Sequence, residues 1–195
     1  MRFIEEIRES WRQALDVKEA DDLPYVLLTE AVNQSVLRGA TRIDITYDGR
    51  TISVTDDAAP FEGRLESLLQ PVVGIMNDEA RHLRRLAERQ WRRCPYGIIS
   101  ALCKSFKLVS CDGETLRSIT CEDGEVTSSS TSKVSIGSRN VVFMVPMLFA
   151  DNVRPEFMEN LVNHIAYLFP QVTLFFNSGI EEAEEYEDPD ERKSD

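Results

Sequence analysis

The chain has 195 residues, of which 42% are hydrophobic and 29% charged, enough apolar material for the core of one globular domain. Its formal charge of −12 repels phosphate, so direct nucleic-acid binding by this chain is not expected. No apolar run approaches the roughly 20 residues that cross a bilayer, and Met1 to Glu6 lacks the basic-then-apolar order of a signal peptide. The composition therefore reads as a cytoplasmic protein with no membrane segment. Cys94, Cys103, Cys111 and Cys121 are spaced by nine, eight and ten residues, which matches neither a metal-binding pair nor a short disulfide scaffold, so they are read as reduced core thiols.

Phe3, Ile4, Ile7, Trp11 and Leu15 recur at a helical period and predict an amphipathic first helix that packs on the body or on a partner. Asp21-Asp22-Leu23-Pro24 places acids and a proline at the start of a second helix running to about Arg38, and Gly39 supplies a left-handed residue after it. Ile43, Ile45 and Tyr47 alternate, as do Ile52 and Val54 beyond Asp48-Gly49, which predicts a tight hairpin over Arg42 to Asp56. Asp56 falls in phase with Ile52 and Val54 and should point to the covered face, with Asp57 pointing away. An inward carboxylate needs a partner, because leaving it unpaired in a dry site costs several kcal/mol.

Arg64 to Arg93 reads as helical and holds, in Arg81 to Arg93, six arginines at helical spacing. They form either a solvated face or a set of phosphate-facing cations. Ile98 to Cys103 reads as the start of a helix, and Phe106–Ser110, Leu116–Cys121 and Val141–Val145 read as strands with turns at Asp112-Gly113 and Asp123-Gly124. Thr127 to Ser132 is a polar loop or weak edge strand. Arg154 to Phe169 is helical through Phe157, Leu161, Ile165 and Leu168, and Val172 to Phe176 is a last strand. This order favours an α+β fold, a two-layer α/β sandwich with a mixed sheet covered on one face by helices. The body spans residues 1–178. Residues 179–195 form an acidic tail read as disordered, in which the last 15 residues carry −7 of the charge and leave −5 on the body.

His82 and His164 have no second ligand at metal spacing, and no serine-histidine-acid or cysteine-histidine set is present. The chemistry concentrates instead between Thr29 and Phe61. Glu30 to Ile45, EAVNQSVLRGATRIDI, resembles the helix-turn-strand of the GHKL (Bergerat-fold) ATPases, written E-L-V-x-N-x-x-D-A-G-A-T-x-I-x-I in MutL-like proteins, and Ser53 to Phe61 resembles their D-x-G-x-G or D-x-G-x-P-F box. Tyr96 to Glu125 is similar to the glycine-helix-strand-strand segment of gyrase, Ile136 to Phe143 to its following strand, and Leu161 to Phe176 to its closing helix and strand. The resemblance covers roughly residues 20 to 178.

This resemblance implies an ATP-binding domain of the gyrase, MutL, heat-shock chaperone and histidine-kinase type, with ATP and Mg2+ as cofactors and slow hydrolysis driving a conformational or assembly change. It implies that Glu30 polarises the attacking water, that Asn33 or Gln34 ligates the metal, and that Asp56 accepts the adenine amino group. It puts Ala58 where the family has a glycine, Pro60 in a kinase-like form of the box, Gly97 at a helix start that offers amides to phosphate, and Ser138 at the threonine that assists Asp56. Between Glu62 and Arg93 only Gly63 and Gly74 are present, so the glycine-rich lid of gyrase is missing. A protein partner or a homodimer, joined through the first helix and the lid, would suit the family. A degenerate pseudo-ATPase serving as a protein-interaction or regulatory module is the alternative.

Overall fold

The computed structural model describes residues 22–69, 95–147 and 153–179. The expected first helix, the arginine-rich segment and the acidic tail beyond Gly179 lie outside the described residues. The described residues begin with α1 (Asp22–Leu37), followed by the hairpin β1 (Arg42–Tyr47) and β2 (Ile52–Asp56). A single 3-10 turn (Leu65–Leu68) precedes α2 (Pro95–Ala101), and β3 (Cys103–Cys111), β4 (Thr115–Glu122), β5 (Glu125–Lys133) and β6 (Arg139–Pro146) follow. The last elements are α3 (Pro155–Leu168) and β7 (Thr173–Ser178).

The strands form one seven-stranded sheet in the order β5-β4-β3-β6-β2-β1-β7. All neighbours are antiparallel except β1 and β7, which run parallel with Ile43 beside Leu174. The sheet is therefore mixed, and the fold is α+β. Alternation decides which face is covered: Ile43, Ile45, Tyr47, Ile52, Val54, Phe106, Leu108, Val142 and Met144 are buried, whereas Thr46, Ser53, Lys107 and Phe143 on the other face are at least partly exposed. α1 packs on β2 and β6, α2 on β3, and α3 on β1 and β7. Leu27, Leu28, Ala31 and Val32 of α1 and Met158, Val162 and Ile165 of α3 complete the core.

Local chemistry sets the element ends. The Gly39 N–H donates to the Val36 carbonyl at 2.9 Å and the Ala40 N–H to the Ser35 carbonyl at 3.0 Å, with Gly39 at φ 88. This double closure satisfies the last carbonyls of α1 and reverses the chain into β1. In the β1–β2 turn, Asp48 Oδ1 accepts the Arg50 and Thr51 N–H groups at 3.0 and 2.6 Å.

Several boundaries differ from expectation. α2 begins at Pro95 and Cys103 already lies in β3, where it is buried in the sheet rather than ending a helix. Of the two readings of Thr127 to Ser132, a polar loop or a weak edge strand, the strand is found, as part of nine-residue β5 at one end of the sheet. Ile136 to Ser138 precedes β6 rather than forming its start, because the Ser138 hydroxyl donates to the Cys111 carbonyl at 3.1 Å and holds the connection against β3.

Candidate functional site

The polar side chains of this sandwich converge at the C-terminal end of β2, beneath the C-terminal turn of α1. Asp56 ends β2 and faces inward at 2% exposure. Its carboxylate is fully engaged. Oδ1 accepts from the Ala58 N–H at 3.1 Å and from Asn140 Nδ2 at 2.8 Å, while Oδ2 accepts from Ser35 Oγ at 2.5 Å and Arg38 Nη2 at 2.6 Å. A carboxylate offers about four lone-pair positions, so four donors leave none directed at a ligand.

The same side chains hold the segment that follows Asp56. Arg38 Nη1 donates to the Ala59 carbonyl at 3.0 Å, and its guanidinium lies over the Phe61 ring at 4.0 Å. Asn140 Nδ2 also reaches the Ala58 and Ala59 carbonyls at 3.1 and 3.3 Å, and its Oδ1 accepts from the Ser110 hydroxyl at 2.9 Å. That hydroxyl in turn accepts the Phe61 N–H at 3.1 Å. From the other side, Arg117 donates to the carbonyls of Phe61 and Gly63. Residues 58 to 63 are thus fastened by Arg38 of the turn after α1 and by side chains of β3, β4 and β6. Tyr96 of α2 meets Phe61 edge to face at 5.2 Å, and its buried hydroxyl has no hydrogen-bond partner among the described residues. Burial pushes the Tyr96 phenol well above its ordinary range, with Asp56 and Glu30 adding to the effect and Arg38 opposing it.

Glu30 lies on α1 four residues before Gln34 and eight before Arg38, which follows in the turn directly after the helix, and is 7% exposed. Gln34 Nε2 donates to Glu30 Oε1 at 2.7 Å, and Asn33 Nδ2 stands 3.4 Å from Oε2. Both amides considered for metal ligation therefore act as donors to Glu30. Among the described residues no group of three or more His, Cys, Asp and Glu side chains is assembled that could hold a metal ion.

The structure thus brings Glu30, Asn33 and Gln34 together on α1, and Asp56 and Ala58 together at the end of β2. Ala58 is buried and outside the left-handed backbone region, so replacing the family's glycine strains nothing there. Pro60 lies in the fastened segment, and Gly97 sits in the first turn of α2 next to Tyr96. The Ser138 hydroxyl donates to the Cys111 carbonyl at 3.1 Å. The β6 side chain bonded to Asp56 is Asn140, because β6 pairs with β2 in the register that sets Asn140 opposite Asp56. Its signal was present in the sequence, since Asn140 is in phase with the buried Val142 and Met144. Arg38 was likewise findable, since it follows Gln34 at the spacing at which Gln34 follows Glu30.

The donor set around Asp56 does not fit an adenine amino group in this arrangement, because Arg38 and Asn140 already supply the donors a purine would bring. No protein-family model matches the chain, and no curated protein matches its sequence. Among the described residues no helix is long and apolar enough to cross a membrane.

Proposed function

We propose that this chain is a degenerate GHKL-type sandwich whose adenine-acceptor position is closed by its own arginine, and that it serves as a protein-interaction or regulatory module. The observation that carries this reading is the four-donor engagement of Asp56, with Arg38 as its charge partner. A nucleotide entering in the family manner must first displace that buried guanidinium. Breaking such a pair costs about 3–5 kcal/mol, while a hydrogen bond from a ligand to the charged group returns about 1.5–3 kcal/mol. The deficit of about 2 kcal/mol weakens binding roughly thirtyfold before any loss from the missing glycine-rich lid.

Calorimetric titration with ATP, with and without magnesium, tests this directly. Silence up to millimolar nucleotide is expected. Micromolar binding that disappears in Asp56→Asn would overturn the reading.

The placement of Glu30 beside Asn33 and Gln34 favours the second reading, a slow Mg-dependent ATPase. Glu30 remains nearly buried on α1, with Gln34 and Asn33 beside it. In that case Arg38 would have to swing aside, Asp56 would accept from the adenine amino group, Asn33 or Gln34 would hold magnesium, and Glu30 would polarise the attacking water. Phosphate release that is measurable in wild type and lost in Glu30→Ala supports it; equal release by both proteins removes the role of Glu30.

A further inference from the structure

Arg117 of β4 lies on the helix-covered face of the sheet, because it alternates in phase with the buried Ile119 and Cys121. Its guanidinium donates to the Phe61 and Gly63 carbonyls. Both acceptors are neutral, and among the described residues Arg117 forms no ion pair. Its Nε–H is buried and has no hydrogen-bond partner among those residues. Asp112, an acid that feels the Arg117 charge, commits Oδ1 to the Thr115 and Glu114 N–H groups at 2.7 and 3.0 Å. Two carbonyl dipoles therefore fix a half-buried cation in place and leave its charge without a carboxylate partner, a state that an approaching anion relieves.

A cavity of about 230 Å³ opens beside this guanidinium and is lined by Arg117, Gly63, Arg64, Glu66, Ser129 and Thr131 among others. Three elements build it. The 3-10 turn packs on β4 and brings Arg64 and Glu66, while β5 sets Thr131 opposite Arg117 and Ser129 opposite Ile119, on the same face. The lining thus holds two guanidinium groups and one carboxylate. Glu66 meets Arg64 in a contact of 3.5 Å between side chains that are 36% and 85% exposed, so this tie is weak. The Ser129 hydroxyl helps to keep Glu66 ionised, after the larger effect of its own backbone N–H. Neither contact compensates Arg117.

We infer that this cavity binds the phosphate group of a small monoester between Arg117 and Arg64, with the Thr131 hydroxyl as a further donor. Arg117 is oriented in advance by the two carbonyls, so little ordering is needed there on binding. Arg64 closes from the solvent side, and the half-exposed Glu66 turns outward. Two positive charges then face the ligand, and a phosphate monoester carries about −1.5 to −2 at neutral pH, where a single carboxylate would balance only one of them. The volume lies below the roughly 300–1,000 Å³ of pockets for drug-sized ligands, so the cavity suits a phosphate and its ester linkage rather than a nucleotide. The inference is independent of whether nucleotide binds at Asp56.

Calorimetric titration of the full chain at low salt with glycerol phosphate, a phosphoserine peptide and acetate tests it. Saturable binding of both phosphate esters is expected, with acetate weaker. Arg64→Met should weaken the phosphate esters on the order of tenfold through the loss of one charge-assisted contact, and Glu66→Gln should tighten them. Arg117→Met should abolish binding; if that variant does not fold by circular dichroism, the Arg64 and Glu66 variants decide alone. A peptide that binds more tightly than glycerol phosphate identifies a phosphorylated side chain as the source, and equal affinities identify a free ester; both support the site. Absence of saturable binding up to tens of millimolar overturns the inference. So does acetate that binds as well as phosphate, or phosphate binding that is unchanged in Arg64→Met and Glu66→Gln.

Discussion

Replacing Arg38 by methionine removes the guanidinium while keeping most of the apolar stem that lies over Phe61. The side chain of Asp56 is fully buried and that of Arg38 is 17% exposed, so the ion pair is shielded from solvent rather than a surface contact. Removing one member of a buried pair costs about 3–5 kcal/mol. The lower end, about 3 kcal/mol, applies because Ser35, the Ala58 N–H and Asn140 still donate to the carboxylate. For a domain of this size the corresponding fall in Tm is roughly 6–12 °C. Urea unfolding followed by circular dichroism should show a lower midpoint at an unchanged slope. Arg38→Lys retains the charge but cannot span Asp56 and the Ala59 carbonyl as the guanidinium does, so it should fall between wild type and Arg38→Met. A loss below about 1 kcal/mol in Arg38→Met, or no difference between the two variants, would refute the assignment of Arg38 as the charge partner that closes the site.

Tyr96→Phe removes a buried hydroxyl that has no partner among the described residues, so it should leave stability at neutral pH unchanged or slightly higher. Because burial raises the Tyr96 pKa in the folded state, the wild type loses stability as pH rises above the unfolded value of about 10, and the variant should lose less in alkaline melts. For Asp57, burial opposes ionisation, but donation from the Thr41 hydroxyl and the N–H groups of Thr41 and Arg42 outweighs it and holds the pKa below 3.8. That contribution is complete above the ordinary carboxylate pKa and is lost as pH falls through the folded-state value, so Asp57→Asn should be less stable at neutral pH and show a shallower acid limb in calorimetry below about pH 5. Gly39 has φ 88 with open space around its Cβ position, so Gly39→Ala should cost about 1–2 kcal/mol from backbone strain alone, read from thermal melts.

The local signals in the sequence are strong wherever chemistry and geometry coincide over a few residues. Gly39 at the end of a helix stripe, Asp48-Gly49 between two alternating runs, and Asp56 in phase with Ile52 and Val54 each specify one local outcome. β5 is harder to read because Glu125 to Lys133 has no buried side, so its membership in the sheet rests on pairing with β4 rather than on hydrophobic alternation. The site shows the same division. Glu30, Gln34 and Arg38 follow one another at a visible four-residue spacing, whereas the meeting of Asp56 with Asn140 depends on the β2–β6 register, which joins segments 84 residues apart. Strand phase selects Asn140, which alternates with the buried Val142 and Met144 along β6.

Arg38 changes the charge balance of this site. An adenine amino group is neutral and present only when nucleotide is bound, so a buried aspartate that waits for it must be partly solvated or protonated in the empty state. A guanidinium is cationic and always present. Placed at the end of α1 by the Gly39 turn, it pairs with Asp56 permanently and fastens residues 59 to 61 through the Ala59 carbonyl and the Phe61 ring. Under the proposed reading the arrangement with Arg38 on Asp56 is the stable one, and nucleotide would have to displace Arg38 before its binding energy could select another conformation of the segment. A sandwich in that condition would present one constant surface, as an interaction module requires.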